Sequence, residues 1–153
     1  METTFRVTAT VRNQFLNFIN NYTLEQLNHI PTGFSNNSIW NIGHCIATQQ
    51  LLVYKLSSLP MNVSDEFIET YRNGSFSTGK TTQEEVNYIK SILFSSYEKI
   101  QEDLSNNVFV TTYNEYTTKT TGFTLQNVQQ ALEFNNFHEG LHYGVLLQIK
   151  KFL

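Results

Sequence analysis

The chain has 153 residues, enough for one domain built around one sizeable core. Its hydrophobic fraction is 40%, with twelve Phe and eight Tyr, and only 15% of residues are charged. The net charge is −3 and no Lys/Arg cluster forms a basic stripe, which argues against a nucleic-acid-binding protein.

The first segment, "METTFRVTATVRNQF", lacks a basic head followed by an apolar run, so no signal peptide is expected. No apolar run approaches the roughly 18 residues of a membrane span. The only cysteine is Cys45, which excludes an intramolecular disulfide and a cysteine-based zinc site, and a free thiol fits a reducing cytoplasm. One domain over residues 1–153, in the cytoplasm, is the expectation.

In chain order, Val11, Phe15, Phe18 and Tyr22 recur at spacings of 3 and 4 and predict a first helix. Thr23 is placed to cap a short helical turn that ends before Pro31. A third periodic segment opens at the Ser/Asn-rich run of residues 35–38 and stops at Pro60. Residues 60–81, with Gly74 and Gly79, read as a long loop. Thr82 and Glu85 form a capping box, followed by the stripe Val86, Ile89, Leu93, Tyr97, Ile100 and Leu104. Residues 108–121 are β-branched and aromatic, an extended segment with no evident partner strand. A last helix runs from about Thr124 to the end of the sequence. Four long amphipathic segments without a set of strands predict an all-α four-helix bundle.

Two motifs invite a literal reading. Residues 74–81, "GSFSTGKT", match the phosphate-binding pattern G-x-x-x-x-G-K-[ST]. That loop needs a buried strand before it, and "SDEFIETYRN" carries four charges in ten residues, so a glycine-containing loop leading into a helix is expected instead. Residues 138–142, "HEGLH", match the zinc-protease pattern H-E-x-x-H. No His, Asp or Glu follows His142 to complete a protease site, and no edge strand is evident to hold a peptide. Glu139 rotates off the ligand face and reads as a solvated carboxylate or as a hydrogen-bond partner behind the ligands.

The histidines themselves carry more weight. The stripe Val128, Ala131, Asn135, His138, His142, Val145, Ile149 and Phe152 puts two imidazoles one turn apart where Leu or Ile is expected. Trp40, His44, Ala47, Leu51 and Tyr54 form a second stripe, interrupted by His44. A lone histidine on an apolar face is ordinarily a satisfied core residue. Three from two helices, aimed into one bundle, point to a divalent metal site, because an unsatisfied buried polar group costs about 1–3 kcal/mol. His29 lies off any stripe, at a helix end. Asn41, Thr48 and Asn135, one turn from the ligands, are candidates to line the site.

With these features in view, "NNSIWNIGHCIATQQLLVYKLSSLP" and "FHEGLHYGVLLQIKKFL" resemble the DinB-like (damage-inducible) family of four-helix bundles. "TLEQLNHIP" and "FSTGKTT" share the resemblance, which covers nearly the whole chain. The family's single histidine on the second helix corresponds to His44 in "WNIGHC", and its H-x-x-x-H pair to His138 and His142. The resemblance implies one divalent metal ion (zinc, nickel or iron), held by His44, His138 and His142, and a homodimer. It also implies a small-molecule substrate, since characterised relatives transfer or isomerise with low-molecular-weight thiols such as bacillithiol, mycothiol or glutathione. A thiol S-transferase is the expected activity. A non-catalytic metal- or ligand-binding bundle and a metal-dependent hydrolase are the alternatives.

Overall fold

The computed structural model describes residues 1–153 throughout. Its helices are α1 (Glu2–Asn21), α2 (Leu24–Asn28), α3 (Ser38–Gln50), α4 (Asp65–Tyr71), α5 (Gln83–Ser105) and α6 (Val128–Ile149). A π-helical turn, Leu51–Lys55, continues α3, and a 3-10 turn, Lys150–Phe152, ends α6. No helix is long and apolar enough to cross a membrane.

The helix starts follow local chemistry. Thr23 and Thr82 each accept from the backbone three residues on, while Gln26 and Glu85 reach back to the cap N–H, which completes two capping boxes. Asn37, Ser64 and Asn127 cap α3, α4 and α6 through their side-chain oxygens. Each such cap is worth about 1 kcal/mol.

The four long helices α1, α3, α5 and α6 form the predicted bundle, with α6 packed on α1 and α3, and α5 packed on the same two. Two apolar clusters fix their directions. One joins Phe15 and Phe18 late in α1, Ile39 and Ile42 early in α3, Val86 and Ile89 early in α5, and Leu146 late in α6. The other joins Phe5 at the start of α1, Leu52 and Tyr54 beyond α3, Tyr97 and Ile100 late in α5, and Ala131 and Leu132 early in α6. So α1 and α6 run one way, and α3 and α5 the other. Between the clusters lies a buried polar layer in which Arg12, Ser96, Asn135 and Glu139 bond one another.

Several expectations change. The span 60–81 is not all loop, because Ser64 caps α4, whose Phe67, Ile68 and Tyr71 are buried against the first cluster. The look-alike phosphate loop therefore follows a helix, not a strand, and leads into α5. The extended segment does find a partner: Tyr116–Thr117 (β1) pairs antiparallel with Thr124–Leu125 (β2). The last helix begins at Val128, not Thr124. The buried face of α1 is Phe5, Thr8, Arg12, Phe15 and Ile19, which the polar Thr8 and Arg12 conceal in an apolar count.

Candidate metal centre

His44 owes its orientation to a glycine. A Cβ on Gly43 would lie 2.6 Å from Tyr71 Cδ1 and 2.9 Å from Cγ, so only glycine lets α4 settle this close to α3. That approach brings the Tyr71 carbonyl 2.7 Å from His44 Nδ1. A carbonyl can only accept, so Nδ1 carries the proton and Nε2 is the unprotonated, accepting nitrogen. Trp40, one turn earlier, stacks on the imidazole with ring centres 4.8 Å apart and planes 8° off parallel. The indole is tethered in turn, because its Nε1–H donates to Thr70 O and Ser75 Oγ.

Across the α3–α6 seam, the antiparallel register sets His138 against His44 and His142 against Asn41. Asn41 Nδ2 donates to Asn37 O at 2.7 Å, which turns Oδ1 toward His142. His142 Nδ1–H donates to that oxygen at 2.8 Å and so leaves its Nε2 lone pair free. His138 Nε2 stands 3.2 Å from His44 Nε2, and its Nδ1 is buried without a partner. One ligand nitrogen from each of the three rings lies within 4.8 Å of the others.

This donor set fits a divalent metal ion. Two nitrogens on a tetrahedral zinc stand roughly 3.3 Å apart, given bond lengths of about 2.0–2.1 Å. The His44–His138 separation is 3.2 Å. None of the rings has to lose a proton to become a ligand. Burial lowers all three from the ordinary histidine value: His138 to about 3 and His142 to about 4, with neighbouring imidazoles adding to the effect. For His44, burial is partly opposed by the hydrogen bond to Tyr71. Three neutral imidazoles leave at least one coordination position for a ligand, the pattern of catalytic rather than structural zinc sites.

The cluster floors a pocket of about 270 Å³. Trp40, Leu52, Phe134 and Leu141 give it apolar walls, Thr48 and Asn73 add polar groups, and the turn of the β1–β2 hairpin forms its rim through Thr118, Lys119 and Thr120. Thr48 Oγ1 lies 3.3 Å from His44 Nε2. Of the three candidate lining residues, Asn41 orients His142 and Thr48 faces the pocket. Asn135 does neither: it belongs to the polar layer and donates to Glu139 Oε1 at 2.8 Å. His29 is exposed at the end of α2, and Cys45 is fully buried outside the cluster, its thiol pushed well up by burial and then by Glu139.

Glu139 is not solvated, nor does it touch the imidazoles. It is fully buried, 2.8 Å from Arg12 Nη2, and Arg12 Nε also donates to it. Arg12 Nη1 donates to Leu93 O and Ser96 Oγ, both at 2.6 Å, so the guanidinium ties α1 to α5 as well as to α6. Sequence reasoning does not find Arg12. Its signal is a 3–4 spacing with Phe5, Thr8, Phe15 and Ile19, visible only if a cation is admitted to a core stripe.

Residues 8–146 match the DinB superfamily, a family of four-helix bundles. No curated protein matches the chain.

Proposed function

Because the chain belongs to the DinB superfamily, we propose that His44, His138 and His142 hold one divalent metal ion and that the pocket above it transfers a low-molecular-weight thiol to a small electrophile. The observation that carries this reading is the convergence of the three rings at the floor of an open pocket, two of them with their outer protons tied to Tyr71 O and Asn41 Oδ1. Histidine ligands suit zinc, nickel or iron. When bound, such an ion supplies Lewis acidity that lowers the pKa of a thiol or water reaching it.

The chain's own residues orient and enclose. Asn41 and the Tyr71 carbonyl hold two ligands in one tautomer, and Trp40 keeps the His44 ring from turning. The apolar walls shield a small carbon skeleton from water. No Asp or Glu lines the pocket, so no carboxylate is placed there to take a thiol proton. In the overall reaction the thiol proton leaves to solvent, sulfur supplies the pair for the new S–C bond, and the leaving group departs with its own pair. Homodimerisation is part of the same proposal, and light scattering tests it.

The test is conjugation of a panel of thiols to 1-chloro-2,4-dinitrobenzene by the metal-loaded protein. Activity with at least one thiol, abolished by chelation and by His138→Ala, is the expected result. Conjugation that survives metal removal contradicts the proposal.

A further inference from the structure

The proposed pocket has an uneven charge. Of the residues that line it, Lys119 alone carries a formal charge, the three imidazoles being neutral, so its positive charge adds to that of an ion held on them. No carboxylate lies within ion-pair distance of Lys119 to neutralise it; only Arg12, Arg72 and Lys99 are paired in this chain. The chain as a whole is acidic, at −3, yet its acids are absent from this pocket. A cation placed alone beside an apolar cleft attracts anions and disfavours cations.

The backbone that carries Lys119 is held in place. The β1–β2 ladder pairs Tyr116 with Leu125 and Thr117 with Thr124, and the two threonine hydroxyls meet at 2.9 Å. Above it, Thr118 N–H donates to Phe123 O at 2.9 Å and Gly122 N–H to Thr118 O at 2.8 Å. Gly122 closes this turn at φ +72°, a conformation that favours glycine. Thr118 is buried, and its hydroxyl bonds that of Thr121. The ammonium thus hangs on a flexible stem from a fixed turn at the rim, with the histidines at the floor.

We infer that this pocket selects small acids, with the ligand's carboxylate at Lys119 and its donor atom directed to the three histidines. The inference rests on the reading of the site as an open metal centre. Lys119 is then the side chain that adds to the ion's attraction for anions, and the histidines keep their role as ligands.

Trp40 is the only tryptophan and lines the pocket, so its fluorescence reports occupancy. The probes are 3-mercaptopropionate and the neutral 3-mercaptopropionamide, titrated against zinc-loaded protein. The acid-to-amide affinity ratio of wild type is expected to exceed that of Lys119→Ala by about fivefold, the effect of one partly solvated charge pair, and this difference should shrink as salt is raised. Lys119→Ala should leave only the part of the preference that the zinc ion supplies and leave the amide's affinity unchanged, while Lys119→Arg should keep the wild-type ratio. Lys119 is exposed, so these variants do not threaten the fold. A wild type without preference, or a Lys119→Ala variant with the wild-type ratio, overturns the inference. Zinc content measured on the same samples separates the two readings. Normal zinc with no dependence on Lys119 sinks this inference alone, whereas failure to take up zinc sinks the proposed function and this inference with it.

Discussion

Removing the charge of Glu139 should cost the protein much of its stability. Glu139→Gln keeps the shape of the side chain but leaves Arg12 fully buried without its counter-ion. Arg12 retains Leu93 O and Ser96 Oγ, so its hydrogen bonds are partly satisfied while its charge is not. Breaking one side of a buried pair in this way typically costs about 3–5 kcal/mol. For a chain of 153 residues, at roughly 2–4 °C per kcal/mol, the melting temperature should fall by about 6–20 °C. The assay is thermal unfolding followed by circular dichroism, on wild type, Glu139→Gln, Arg12→Met and the double variant Arg12→Met/Glu139→Leu. Replacing both partners by apolar groups removes the unpaired charge, so the double variant should recover at least half of the loss. A Glu139→Gln variant that melts within about 2 °C of wild type would refute this role.

Other outcomes follow from the same geometry. Gly43→Ala should destabilise by about 1–3 kcal/mol through overpacking against Tyr71 and, by disturbing the acceptor of His44, weaken zinc binding by roughly 10–100-fold in a chelator competition. Gly140→Ala, where an added Cβ meets nothing within 4 Å in mid-helix, should instead raise stability by about 0.5–1 kcal/mol in urea unfolding. In metal-free protein, the depressed values of His138 (about 3) and His142 (about 4) mean that the unfolded chain takes up protons first as pH falls. Stability is then full above about pH 6.5 and drops below it, by up to about 1.4 kcal/mol per pH unit for each histidine. Melts between pH 7.5 and 5 should show this fall in wild type and a flatter profile in His138→Leu/His142→Leu.

Features encoded within a turn or two of helix are legible in the order of residues alone. Both partners of each capping box sit three residues apart, and the long stripe of α5 is buried from Val86 to Ile100 as its spacing predicts. The three histidines are legible because each replaces an apolar residue on a periodic face. The hidden features are those whose partners are remote. Arg12 and Glu139 lie 127 residues apart, and nothing local to either says that the other exists. Asn135 sits on the same inner stripe as the histidines, so spacing assigns it to the site, while the packing of α1 draws it to Glu139 instead. β1 and β2 are two residues long each, too short for an alternating pattern to register. The helix α4 is masked by its charges Asp65, Glu66 and Glu69, although Phe67, Ile68 and Tyr71 mark its buried side. The glycine preceding His44 is visible in "WNIGHC", but its reason, the ring of Tyr71, is visible only in three dimensions.

The proposed metal site needs His44, on α3, to complete the pair His138 and His142, on α6. Elemental analysis of the purified protein and its single-alanine variants at these positions tests it most directly. Wild type should carry about one divalent metal ion per chain. His44→Ala, like His138→Ala and His142→Ala, should lose that metal with helical content unchanged by circular dichroism. A His44→Ala protein that retains full metal occupancy would contradict it.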